Sequence, residues 1–262
     1  MIIQISSLTK SLAILGISSA RLITCFNIVP FIGGKIIPHY VRNAIVMSIV
    51  LTTVYPFVSI TAPDKLTILQ GLILLGKEIF VGLIMGFVVG ILFWSIEITG
   101  FLIDNQRGAG MASVFDPLYG HSTSPMGVLF LQLLTVLFFA SGGFLVFLEG
   151  IFASYQFWPV FEYVPKIEGK LFIFFLNQAD LLMKTGFLLA APFLITIFLV
   201  DLSLGLINRF VPQLNVFFLS MPIKSGISSF LLVAYIAVIA YYYRPHFAGI
   251  DEIIKELSGV IK

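Results

Sequence analysis

The stretch Asp104-Asn105-Gln106-Arg107-Gly108-Ala109-Gly110-Met111-Ala112-Ser113-Val114-Phe115-Asp116-Pro117 is a polar, glycine-rich loop between two strongly apolar runs. It continues through Gly120, His121 and a Ser/Thr cluster to Pro125, and the flanks 79–96 and 126–148 carry no charged residue. Hydrocarbon cannot satisfy such a segment's backbone and carboxylate groups, whereas water or surrounding protein can. The loop is therefore expected at a membrane edge, or enclosed by protein or a watery cavity. An irregular segment held in a cavity is the kind of element from which a gate or plug is built.

The composition agrees with a membrane setting. Of 262 residues, 59% are hydrophobic and 11% charged, against about 25% charged in a soluble domain; mean hydropathy is +1.06. Apolar runs extend from end to end, so the expectation is one all-α unit spanning 1–262, built of hydrophobic, kinked helical hairpins. The net charge is only +2 and the 15 basic residues are dispersed, which gives nucleic-acid binding no support. Cys25, the single cysteine, excludes an internal disulfide and a multi-cysteine metal site. The first 20 residues hold one late lysine, Lys10, and no cleavage-type motif, so the N-terminus is expected to be retained.

Apolar segments lie near 11–34, 44–63, 66–103, 126–155, 181–210 and 214–243. Since about 20 residues cross the hydrocarbon core, six spans is the simplest expectation. Lys10, Lys65, Lys77, Lys166, Lys170, Arg244, Lys255 and Lys262 then share the side of both termini, against Lys35, Arg42, Arg107, Arg209 and Lys224. The positive-inside rule leans towards cytoplasmic termini. Arg21, Glu97, Glu149, Lys184, Asp201 and Arg209 in or at the ends of these segments each cost a few kcal/mol at a bilayer centre. Much of the chain is thus expected to face other subunits rather than lipid.

Gly82, Gly86 and Gly90 recur every four residues on one helical face. Small residues at that spacing let two backbones approach closely, within the chain or with another subunit. In the C-terminal segment 246–262, Ile250, Ile253, Ile254, Leu257 and Ile261 form an apolar stripe opposite Asp251, Glu252, Lys255 and Glu256. That pattern predicts an amphipathic helix on a membrane or a partner.

Catalytic and metal chemistry find little footing. His39, His121 and His246 lie in loops or at segment ends, and His121-Ser122 adjacency is no dyad signature. HExxH, CxxC and a phosphate loop are absent, so no metal, cofactor or ATP hydrolysis is expected. Glu97 and Asp104, seven residues apart, fall on one helical face, with Arg107 within pairing distance of Asp104. They form either an ion path or a charge-neutralised network anchoring the loop. Met111, Val114, Phe115 and Leu118 among small residues form either a deformable apolar seal or an ordinary interhelical loop. A second polar knot, Asn208-Arg209-Phe210-Val211-Pro212-Gln213-Leu214-Asn215-Val216-Phe217 followed by Met221-Pro222-Ile223-Lys224-Ser225-Gly226, predicts a broken helix lining a cavity or a plain hairpin turn.

The two knots together resemble the T component of the type III secretion export apparatus (the SctT/YscT/SpaR family, flagellar relative FliR). The resemblance is carried by Ile103-Asp104-Asn105-Gln106-Arg107-Gly108 with Ser113, Asp116-Pro117, Gly120 and Thr123-Ser124. It is carried equally by Arg209-Phe210-x-Pro212-Gln213-x-Asn215-Val216-Phe217 and Pro222-x-Lys224-Ser225-Gly226. It covers nearly the whole chain and is nearer to virulence injectisome members than to FliR. It implies a non-enzymatic subunit of a bacterial inner-membrane export gate for unfolded secreted proteins. The implied partners are R and S gate subunits, the U switch protein, secreted substrates and membrane lipid. The family assembly it implies stands largely above the bilayer plane. By the same resemblance the region of Gly110, Met111, Val114, Phe115, Asp116 and Pro117 contributes to a channel plug. Asp104, Gln106 and Arg107 anchor its root. Arg209, Pro212, Gln213, Asn215, Pro222 and Lys224, with the Gly82, Gly86 and Gly90 face, are expected to pack on neighbouring subunits. The rival readings are a secondary transporter using Glu97, Asp104 and Asp201, and an intramembrane hydrolase using Ser122 or His121.

Overall fold

Long apolar runs with few breakers become long helices. Among the described residues of the computed structural model, which are all except 1, 33–37, 61–62, 64–66, 110–123, 164–169, 214 and 261–262, every regular element is helical. In chain order these are α1 (Ile2–Ile28), α2 (His39–Ile49), α3 (Tyr55–Ile60), α4 (Ile68–Arg107), α5 (Pro125–Ala140), α6 (Gly143–Phe157), α7 (Lys170–Phe210), α8 (Val216–Ala248) and α9 (Ile250–Val260).

Among the described residues, four helices have the length and apolarity to cross a membrane, and a fifth span arises if α5 and α6 are counted as one broken span. Against the expected six, the described residues thus hold four or five. The segment at 44–63 does not make a single regular helix: a π turn, Val50–Val54, interrupts it just before Pro56. A proline lacks the N–H for an α-type bond, and a widened turn accommodates that loss. Pro192, Pro222 and Pro245, by contrast, stand inside continuous helices. The second polar knot is thus no broken helix. α7 ends at Phe210, a turn holds Pro212 and Gln213, and α8 starts at Val216 with Pro222 in its second turn.

The chain forms two compact units. The first comprises Met1–Ile91, Gly142–Gln178 and Ala248–Lys262. Here α1 lies against the first half of α4 at the glycine face. A Cβ on Gly82 would run into the Arg21 carbonyl oxygen, and one on Gly86 would come within 2.9 Å of the Cys25 carbonyl oxygen. The missing side chains are what let the backbones meet. Phe26, Phe31, Phe144 and Phe147 fill one end with rings mostly edge-on, centroids 5.7–6.5 Å apart. The stripe of α9 is covered by the chain itself: Ile250, Ile254 and Leu257 are buried, and the Ile254 side chain lies over Gly150 of α6. These three residues therefore face neither a membrane nor a partner, which corrects that expectation for α9.

Buried inside this unit is a charged cluster. Arg21, fully buried, donates from Nε and Nη2 to both oxygens of Glu78 at 2.8 and 2.9 Å. It also donates to Ser154 Oγ at 2.9 Å and the Trp158 carbonyl at 2.8 Å, and stacks over the Tyr155 ring at 4.1 Å. Lys77 completes the cluster, pairing with Glu78 at 2.9 Å and donating to the carbonyls of Pro159, Val160 and Glu162. A buried arginine is tolerated only when paired and fully hydrogen-bonded, and this one is.

The second unit comprises Leu92–Ser141 and Ala179–Phe247. Gly100 of α4 meets the backbone of Gly127 on α5. Phe93, Phe138 and Phe247 form one ring cluster, and Phe130, Phe193 and Tyr235 another. Two hydroxyl bonds link the helices: Ser95 Oγ with Tyr243 OH at 2.8 Å, and Thr99 Oγ1 donating to the Gly186 carbonyl at 3.1 Å.

Candidate functional site

The site lies in the second unit, where α4 ends and α5 begins. α4 stops because Gly108 takes φ +84°, a left-handed conformation that glycine adopts without penalty. The Gly108 N–H donates to the Asn105 carbonyl at 3.2 Å and the Ala109 N–H to the Asp104 carbonyl at 3.0 Å. This pair of bonds is the Schellman ending of a helix. α5 starts just as sharply. Ser124 caps it, its Oγ accepting from the Gly127 N–H at 2.9 Å, and Pro125 occupies the first helical position, where a missing N–H costs nothing.

Asp104 joins the two ends. Its Oδ2 accepts from the Ser124 hydroxyl at 2.6 Å and from the Met126 N–H at 2.9 Å. Its Oδ1 pairs with Arg107 Nη2 at 2.5 Å. Asp104 is 4% exposed. It therefore sits at the N-terminus of α5, where the helix dipole favours negative charge, with its remaining charge met by Arg107. The root of the polar loop is a charge-neutralised clamp. The loop residues Gly110, Met111, Val114, Phe115, Asp116 and Pro117, with His121 and Ser122, lie outside the described residues.

Gln106 takes part through its backbone. Its carbonyl is 3.5 Å from Lys224 Nζ of α8, and the same ammonium pairs with Asp201 of α7 at 2.5 Å. Lys224 is thus tied inside its own chain rather than offered to a neighbour. Arg209, Pro212, Gln213, Asn215 and Pro222 are exposed. At Gly82 and Gly86 the structure builds the intrachain contact described above, so that face is occupied by α1; Gly90 is buried.

Glu97 does not join Asp104. Glu97 is exposed while Asp104 is buried. The three carboxylates proposed as coupling sites for a transporter do not converge either: Asp104 has Arg107, Asp201 has Lys224, and Glu97 faces outward. No cluster able to hold a metal ion occurs among the described residues. The sequence reading missed Glu78 and Lys77. The available signal was Arg21 itself, since a cation inside an apolar run demands an anion nearby.

The family described as bacterial export proteins, family 1, matches residues 12–250. The chain is 44% identical over 216 residues to the Yop proteins translocation protein T of Yersinia pestis, covering 82% of each chain. It is 34% identical to the secretion system apparatus protein SsaT of Salmonella typhimurium, covering 81% of this chain and 80% of that one. It is 30% identical to the flagellar biosynthetic protein FliR of Bacillus subtilis over 92% and 93%. The chain belongs to the bacterial export proteins, family 1, as a non-enzymatic member of the SctT/YscT/SpaR group of type III secretion proteins to which FliR is the flagellar relative.

Proposed function

We propose that this protein helps to form and to plug the inner-membrane channel through which the type III apparatus exports unfolded proteins. The observation that carries the reading is the Asp104 clamp, which pins the two roots of the 110–123 segment to one carboxylate. A loop with fixed roots and a glycine-rich, apolar middle acts as a steric stopper. It lies across the passage at rest and yields when substrate arrives. Support also comes from the relatives, named for protein translocation and secretion.

The partners are the R and S gate subunits and the U switch protein. Support for protein neighbours comes from helix length. α4 and α7 have 40 and 41 residues, about 60 Å at 1.5 Å per residue, twice the ~30 Å hydrocarbon core. Along α7 and α8, Phe172, Phe198, Phe210 and Phe230 are 57–83% exposed. Lipid covers only part of so long an apolar face, and other chains cover the rest.

Deletion of residues 110–120 in the assembled apparatus tests the plug. Leakage of small solutes through resting complexes is expected. A deletion mutant that stays tight and still secretes sinks the plug. Affinity purification tests the partners: the chain is expected to come out with small, very apolar helical subunits and to behave poorly alone.

A further inference from the structure

The geometry points to Lys224 as a positioning residue for the end of α4. Lys224 Nζ pairs with Asp201 at 2.5 Å and reaches the Gln106 carbonyl at 3.5 Å. That carbonyl is one of the last four of α4: those of Asp104 and Asn105 take the Ala109 and Gly108 N–H, and among the described residues the donor to Gln106 is Lys224. An ammonium there serves that acceptor and the negative end of the helix dipole together. One turn earlier on α8, Met221 lies over Gly108, its Cε 3.4 Å from where a Cβ would stand. Two side chains of α8 thus rest on the two residues that flank Arg107, the last of α4. Asp201 has a distinct part. The Lys224 side chain is only 12% exposed, and an uncompensated cation so placed is costly. Asp201 neutralises Lys224 while Lys224 caps α4, so the α7–α8 hairpin sets where the root of the polar loop stands.

The two parts separate experimentally. In the purified full complex, amide hydrogen exchange of the peptide spanning 104–109 reads the α4 cap, and recovery of the complex reads assembly. Lys224→Glu places two carboxylates together and lowers recovery. The exchanged pair Asp201→Lys with Lys224→Glu restores opposite charges and recovery, but sets a carboxylate beside the Gln106 carbonyl. Exchange at 104–109 is then expected to be about threefold or more faster than in the unaltered protein, the change given by losing one modest hydrogen bond. Lys224→Arg, which keeps a donor, is expected to retain the original exchange. Should the exchanged pair not assemble, Asp201→Asn with Lys224→Met removes both charges and is expected to give the same faster exchange. Unaltered protection at 104–109 in the exchanged or neutral pair overturns the assignment. Only a consequence for leakage rests on the plug reading. A tight 110–120 deletion removes that consequence and leaves the exchange result standing.

Discussion

The Ser124 hydroxyl donates to the Asp104 carboxylate at 2.6 Å, across twenty positions of sequence. This bond, with the Met126 N–H on the same oxygen, makes one side chain of α4 part of the start of α5. The hydroxyl is shared: Ser124 gives its proton to Asp104 and accepts from Gly127. Removing the carboxylate and removing the hydroxyl should therefore differ in size. Asp104→Ala strands Arg107 and two donors and is expected to cost about 3 kcal/mol, in the range for breaking a buried ion pair. Ser124→Ala removes a cap worth about 1 kcal/mol. The melting temperature of the assembled complex measures both, and equal losses would show that the hydroxyl, not the carboxylate, holds the root.

Gly108 is held at φ +84°, where a Cβ costs about 1 kcal/mol. Gly108→Ala is expected to destabilise the α4 ending by that amount, and Gly108→Asn by less, because asparagine tolerates the left-handed region. Amide exchange at Ala109 orders the three proteins. Alanine and asparagine variants as well protected as the parent would remove the backbone requirement.

The glycines of α4 divide by their surroundings. A Cβ at Gly82 meets the Arg21 backbone, while one at Gly76 meets nothing within 4 Å. Gly82→Ala is expected to push α1 from α4 and destabilise by about 1–3 kcal/mol, the usual range for overpacking. Gly76→Ala is expected to be neutral or to stabilise by up to about 1 kcal/mol through helix propensity. Thermal melts of the two variants should move in opposite directions or differ clearly. A shared response would mean that the close contact does not hold the pair.

Arg21 and Glu78 are both fully buried, 2.8 Å apart. Glu78→Gln is expected to cost about 3–5 kcal/mol by leaving Arg21 and Lys77 unmatched, and Arg21→Met is expected to cost less because Glu78 keeps its pair with Lys77. The double change Arg21→Met with Glu78→Met leaves only Lys77 without its carboxylate, still on three carbonyl acceptors, and is expected to cost less than the sum of the singles. Recovery of folded protein from membranes provides the comparison. A double variant as damaged as the sum of the singles would make the two residues independent.

The sequence by itself determined what is local. Apolar runs specified helices, glycine at 108 and proline at 125 marked where two of them stop and start, and the three-residue step from Asp104 to Arg107 put a pair on one face. Helix geometry alone dictates such relations, so they survive any arrangement of the rest. Tertiary structure decided which faces are covered. Glu97 and Asp104 share a face by spacing, yet only Asp104 receives the α5 cap and is buried. The stripe at Gly82 and Gly86 fits a contact within the chain or with a neighbour by pattern, and packing gave it to α1. Arg21 finds Glu78 across 57 positions, and Lys224 finds Asp201 on the preceding helix. Burial of a charge is tolerated only where its counter-charge arrives, and which distant residue arrives is fixed by packing rather than by spacing along the chain.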